Sequence, residues 1–278
     1  MSRAQRQRGQ SATEFLVIFP ALVMLVFGII QMAFMYQGRA TLNYAALLAA
    51  RAGAMHNGDV GEMRRALSRG LAPLFASEAS ATGFADAMAK ATAETAGPAA
   101  LTSIEILNPT SAAFKDFGRD RLDATSGKEL PNDTLAYRTS SAGTNSKQSV
   151  QDANLLHVRV TYCFRLIVPV IDRIIQTAFN SGAPSSEGKG MSDPFGLGVA
   201  PAGLVCNNPA LGGRRIYIQS EAIVRMQSSF FEANLAGANA PGTPGPSTPG
   251  DDDSPGGPVD PSDPGDPTNP NPGDPVCI

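Results

Sequence analysis

The sequence predicts an α+β fold: one long N-terminal helix, a small head of helices packed on an antiparallel sheet, and a proline-rich tail. Three observations carry that prediction. Residues 15–36 are continuously apolar and uncharged. Two later segments, 154–165 and 214–228, alternate apolar and polar residues with the period of a half-buried strand. Beyond about residue 237 the chain turns to Pro, Gly and Asp, a composition that buries too little apolar surface to offset its chain entropy. The chain divides into a short basic stretch at 1–9, the long helix at 10–57, the head at 58–236 and the tail at 237–278.

The apolar run from Phe15 to Tyr36 is broken only by the mid-polarity Gln31. As a helix it would measure about 33 Å, enough to cross a hydrocarbon core of about 30 Å. It is too long for the apolar part of a cleaved secretory signal, which runs to about 15 residues. Arg3, Arg6 and Arg8 precede it, so the positive-inside rule places the N-terminus in the cytoplasm and exports the rest. Helix formers continue without proline through Leu42, Leu47, Leu48 and Ala54 until His56-Asn57-Gly58 supplies a stop. A single helix half in lipid and half outside suits packing against copies of itself or relatives.

Residues 61–96 read as one or two amphipathic helices. Met63, Ala66, Leu67, Leu71 and Leu74 recur at helical steps, with Arg64, Arg65 and Arg69 on other faces. A first strand follows at 101–107, with Ile104 and Ile106 facing one way, and Asn108-Pro109 ends it. Residues 109–150 are polar and periodicity assigns no strand to them.

In the strand at 154–165, Leu156, Val158, Val160, Tyr162 and Phe164 should face the core. His157, Arg159 and Cys163 fall on the other face, where His157 reads as a solvated strand residue. Residues 167–179 suggest a short helix whose apolar side packs in the core or, if it lies beside the membrane, touches lipid or a partner. In the last strand Ile216, Ile218, Ala222, Val224 and Met226 oppose Tyr217, Gln219, Glu221, Ile223 and Arg225.

An exported head would lie in an oxidising compartment, where a disulfide is expected. Cys163 and Cys206 are the candidate pair, bridging a strand to the loop before the last strand, and Cys277 would be left over. Three cysteines allow three single bridges, so spacing alone does not choose among them. The net charge of -3 hides an asymmetry: no Lys or Arg follows Arg225, while seven aspartates from Asp251 to Asp274 lie in the tail. No basic patch with interleaved aromatics occurs, which argues against a nucleic-acid partner. No phosphate-binding glycine loop, nucleophile elbow, zinc-protease motif or paired C-x-x-C is present. No catalytic or metal-ligating residue is therefore assigned, no cofactor is expected, and the tail reads as an acidic spacer with polyproline character.

One arrangement remains. Gly9-Gln10-Ser11-Ala12-Thr13-Glu14-Phe15 places a glycine five positions before an acid at the edge of the apolar run. Taken alone, an acid there can sit at headgroup level, favoured by the helix dipole. With its short basic leader, the pattern resembles a class III prepilin signal. Glu14-Phe15, the early Pro20 and the Phe27-Gly28 pair further resemble the TadE/TadF group of minor pseudopilins from tight-adherence (Flp, type IVc) pilus systems. The long helix followed by two alternating strands also resembles that family's body.

The resemblance implies a non-enzymatic subunit that acts in pilus assembly or adhesion. A prepilin peptidase would cut between Gly9 and Gln10, making 1–9 a leader, and Glu14 would pair with an N-terminal amine, its own or a neighbour's, as helices assemble in lipid. It further implies sibling pseudopilins, a major pilin and an inner-membrane assembly platform driven by a cytoplasmic ATPase as partners. The chain would then be a single-pass protein of the bacterial inner membrane, N-terminus cytoplasmic and C-terminus periplasmic, and later part of a pilus at the cell surface. The other readings are a minor pseudopilin of a type II secretion or another type IV pilus system, whose usual Phe-Thr-Leu-Glu start is missing here, and a signal-anchored periplasmic binding protein or enzyme.

Overall fold

The computed structural model describes residues 10–96, 101–123, 126–175, 204, 206 and 213–237; side chains of the first helix are described from Glu14 onward. Gly9, the leader, the tail with Cys277 and the end of the expected helix at 167–179 lie outside the described residues.

The first helix, α1, runs unbroken over 46 residues from Gln10 to Met55 and passes through Pro20. At about 1.5 Å per residue it is roughly 69 Å long. It ends where Asn57 and Gly58 take left-handed φ values of 56° and 79°, and Asp59 then caps α2 (Val60–Leu71) by accepting the Gly61 N–H at 2.7 Å. A 3-10 turn at Ala72–Leu74 leads to α3 (Ala81–Ala96), so the segment from 61 to 96 forms two helices.

Strand β1 (Thr102–Asn108) is followed by α4 (Ser111–Phe117), then β2 (Arg119–Asp120), β3 (Lys128–Leu130) and α5 (Val150–Ala153). Two long strands, β4 (Leu155–Arg165) and β5 (Arg215–Arg225), precede the short β6 (Phe230–Phe231) and a last turn of helix, α6 (Ala233–Gly237). The main sheet is antiparallel with order β1-β4-β5. The α+β class holds, with helices on one face of this sheet.

On β4 the inward set is as the alternation predicts: Leu156, Val158, Val160, Tyr162 and Phe164 are all buried. Ile104, Ile216, Ile218 and Met226 join them against Leu42, Ala45, Ala46, Ala49 and Ala50 of α1. These alanines let the helix lie close to its neighbours. A Cβ added to Gly70 on α2 would fall 2.5 Å from the Ala45 Cα, so the two backbones leave no room for a side chain there.

Four expectations change. Cys163, expected on the outer face, is fully buried because Leu204 and Cys206, also buried, cover that end of the sheet. Arg64, expected on a polar face, is buried, because α2 is covered on more than one side by the surrounding helices; burial pulls its guanidinium pKa down. The region 109–150 contributes to a second small sheet of order β2-β3-β6, in which Leu130 pairs with Phe230. Phe230 packs on Phe114 with ring centroids 6.0 Å apart. The last long strand ends at Arg225, and the chain then folds back to α1, where Gln227 and Ser228 donate backbone N–H groups to Ala54 O.

Candidate functional site

The residues singled out by sequence lie at the free end of α1. From Glu14 through Ile30 every side chain is exposed or half-buried, including Phe15, Leu16, Val17, Ile18, Leu22, Leu25 and Ile29. An apolar helix face left open on all sides has no place in water, whereas lipid solvates it. Phe15 and Phe19, one turn apart, stack with ring centroids 5.3 Å apart. Pro20 removes an N–H and so frees the Leu16 carbonyl, which membrane helices tolerate where neighbours re-satisfy it. Gly28 has nothing within 4 Å of where a Cβ would be, leaving a notch in the exposed surface.

Gln10 begins the helix and Glu14 follows one turn later, about 6 Å along the axis. Glu14 is exposed.

At Gln31 the helix changes character. Gln31 is fully buried, and its Oε1 accepts the backbone N–H groups of Ile167 and Val168 at 3.1 and 2.9 Å. Its Nε2 has no hydrogen-bond partner among the described residues. Met35, Gly38, Leu42, Ala45, Ala46, Ala49, Ala50 and Ala54 continue the same buried stripe. Sequence reading treated Gln31 only as an interruption of the apolar run. The usable signal was its place at the start of that stripe, whose three- and four-residue steps mark a packed face.

Residues 9–51 match the family described as TadE-like protein. That stretch is similar to TadE-like proteins. The match spans α1 almost to its end and leaves the head outside it. No curated protein and no solved structure matches the chain. The TadE-like match supports involvement in a tight-adherence pilus system, and the long apolar helix fits a single-pass membrane anchor.

Above the TadE-like helix the head offers polar clusters whose chemistry is structural. Cys163 and Cys206 form a disulfide with Cα atoms 5.3 Å apart. The bridge, with Tyr217 Oη donating to Leu204 O at 3.2 Å, holds Leu204 and Cys206 over the sheet. A cleft of about 570 Å³ lies between Phe34 and Gln37 of α1, the turn after α2, and the ends of β4 and β5. Within it Tyr162 donates to Glu94 at 2.6 Å, and Arg215 bonds both Glu94 at 3.3 Å and Cys163 O at 3.0 Å. Burial, reinforced by Glu94, pushes the Tyr162 phenol up, so it stays a hydrogen-bond donor tying α3 to the sheet.

On the outer sheet face Arg159 bridges Glu105 and Glu221 at 3.2 and 2.8 Å, and His157 Nε2 meets Glu221 at 2.9 Å. Burial raises the Glu221 pKa, but the bonds from Arg159 and His157 outweigh it and hold the carboxyl below its ordinary value. These are cross-strand pairs of a half-solvated face.

Proposed function

We propose that this chain is a minor pseudopilin of a tight-adherence pilus, cut after Gly9 by a prepilin peptidase and then built into, or capping, the fibre. The observation that carries this reading is the division of α1. One continuous helix has an open apolar half bearing Glu14 and a half packed into the head. The open half can exchange lipid for the helices of sibling subunits without disturbing the head.

Mature numbering would start at Gln10, making Glu14 the fifth residue. A carboxylate near the end of a membrane helix is disfavoured in lipid by up to a few kcal/mol, depending on depth, and an N-terminal amine of an adjacent subunit would relieve that cost. With the N-terminus cytoplasmic, an inner-membrane platform would lift the helix into a bundle with sibling pseudopilins and the major pilin while the head stays on the periplasmic side. Catalysis has no part in this role.

N-terminal mass spectrometry of the membrane protein, with and without an active prepilin peptidase, tests the reading. A Gln10 terminus that depends on the peptidase is expected. A terminus that stays at Met1 or Ser2 with the peptidase active would sink it.

A further inference from the structure

The turn after β4 reaches down α1 to a level that lipid should occupy. Glu14 and Gln31 are 17 positions apart in one helix, about 25 Å at 1.5 Å per residue, against a hydrocarbon core of about 30 Å. If Glu14 marks one edge of the bilayer, Gln31 lies about 5 Å inside the other. A primary amide there is costly unless it is hydrogen-bonded. The Ile167 and Val168 N–H groups both donate to Gln31 Oε1, so the amide oxygen and the irregular backbone at that depth satisfy each other, while Nε2 has no partner among the described residues.

The side chains of this turn divide sharply. Leu166, Val168 and Ile171 are buried, whereas Ile167, Val170 and Ile174 are 57%, 51% and 53% exposed. Val170 also has φ of 72°, a left-handed conformation that β-branched residues avoid. Holding a valine outward at that cost has no rationale in water. The turn's acid, Asp172, accepts from Arg214 Nη1 at 3.2 Å, so its charge is offset locally.

We infer that Ile167, Val170 and Ile174 form a second membrane contact, a shallow apolar foot that inserts into the acyl-chain edge of the leaflet on the head's side. The occupant is lipid because the foot continues the exposed apolar surface of α1 and is bonded to that helix at the depth just given. The foot fixes the height and tilt of the head above the bilayer, which a lone helix would leave free. This inference rests on α1 spanning the membrane and holds for either orientation.

The chain contains no tryptophan, so single-tryptophan variants report without background. Ile167→Trp, Ile174→Trp, Phe27→Trp and Ile223→Trp in the full chain would be placed in phosphatidylethanolamine–phosphatidylglycerol vesicles. The same vesicles with acyl chains brominated near the carbonyl end or near the terminal methyl supply the quencher. Ile223 is an exposed residue on the outer sheet face, and serves as the control away from lipid.

The expected result is blue-shifted emission at 167 and 174, quenched most by the shallow bromines, together with quenching at 27 and none at 223. Tryptophans at 167 and 174 that escape bromine while 27 is quenched overturn the foot alone, whether they stay open to aqueous acrylamide or are shielded by a protein partner. Absence of quenching at 27 overturns the membrane span and the foot with it. Ile174→Asp supplies an independent readout: quenching at 167 should fall in that variant, and unchanged quenching would contradict the foot.

Discussion

The two halves of α1 share one backbone, yet they differ in composition and meet different surroundings. From Glu14 to Ile30 the helix presents Phe, Leu, Val and Ile outward on every side. From Gln31 to Met55 its buried stripe is dominated by Ala, with Gly38 against the Phe164 ring and Gly53 against Met63 and Leu156. Bulky side chains offer surface to a fluid solvent, whereas small ones let a sheet and a second helix approach. Side-chain size, together with polarity, separates the open half of this helix from its packed half.

The same substitution made in each half should expose that difference most strongly. Leu42→Ala empties a fully buried site and is expected to cost about 2–5 kcal/mol, as buried leucine truncations do. Leu16→Ala, at a site 73% exposed, should change head stability by no more than about 0.5 kcal/mol. Thermal unfolding of both variants in detergent, followed by circular dichroism, makes the comparison; equal losses would contradict the division.

Glycines sharpen it at smaller amplitude. Gly70→Ala drives a methyl to within 2.5 Å of the Ala45 backbone and should cost about 1–3 kcal/mol, as overpacking does. Gly28→Ala meets open space and should be neutral or stabilise the isolated chain by up to about 1 kcal/mol through helix propensity. The two shifts in melting temperature should therefore differ in size or sign.

Acid produces the mildest separation, confined to the head. Asp116 accepts the Ser146 N–H at 2.7 Å and the Asn145 N–H at 3.0 Å. The Ser146 bond does most to hold its carboxyl at about 2, below its ordinary value. A depressed carboxylate pKa stabilises the folded loop above the unfolded value, and that contribution is lost as pH falls through about 2. Amide exchange should show Asn145 and Ser146 protected at pH around 4, near the ordinary aspartate range, and opened only in stronger acid. Opening already at that milder pH would contradict the hydrogen-bonded carboxylate.

Long, regular features were legible before any coordinates. The alternation of 154–165 was readable because β4 is the central strand, with one face covered by the helices and much of the other half-solvated. Burial of Cys163 was not, because its cover comes from Leu204 and Cys206, far away in the chain. The β2-β3-β6 sheet escaped notice because strands of two or three residues carry no measurable period. Arg64 misled because the solvent-facing stripe of α2 is narrow, carrying Glu62, Arg65 and Arg69, and Arg64 falls beside it under neighbouring helices. Gln31 was visible as a polar residue in an apolar run, but its partners at 167 and 168 are tertiary.

The assembly role proposed for the open half is tested most directly at Glu14. The Glu14→Gln variant keeps the size and polarity of the side chain and removes its charge. Membrane levels of the chain should match the unmodified protein, while the amount recovered with sheared pili falls to background. Recovery in the sheared fraction at the unmodified level would contradict a charge-paired assembly helix.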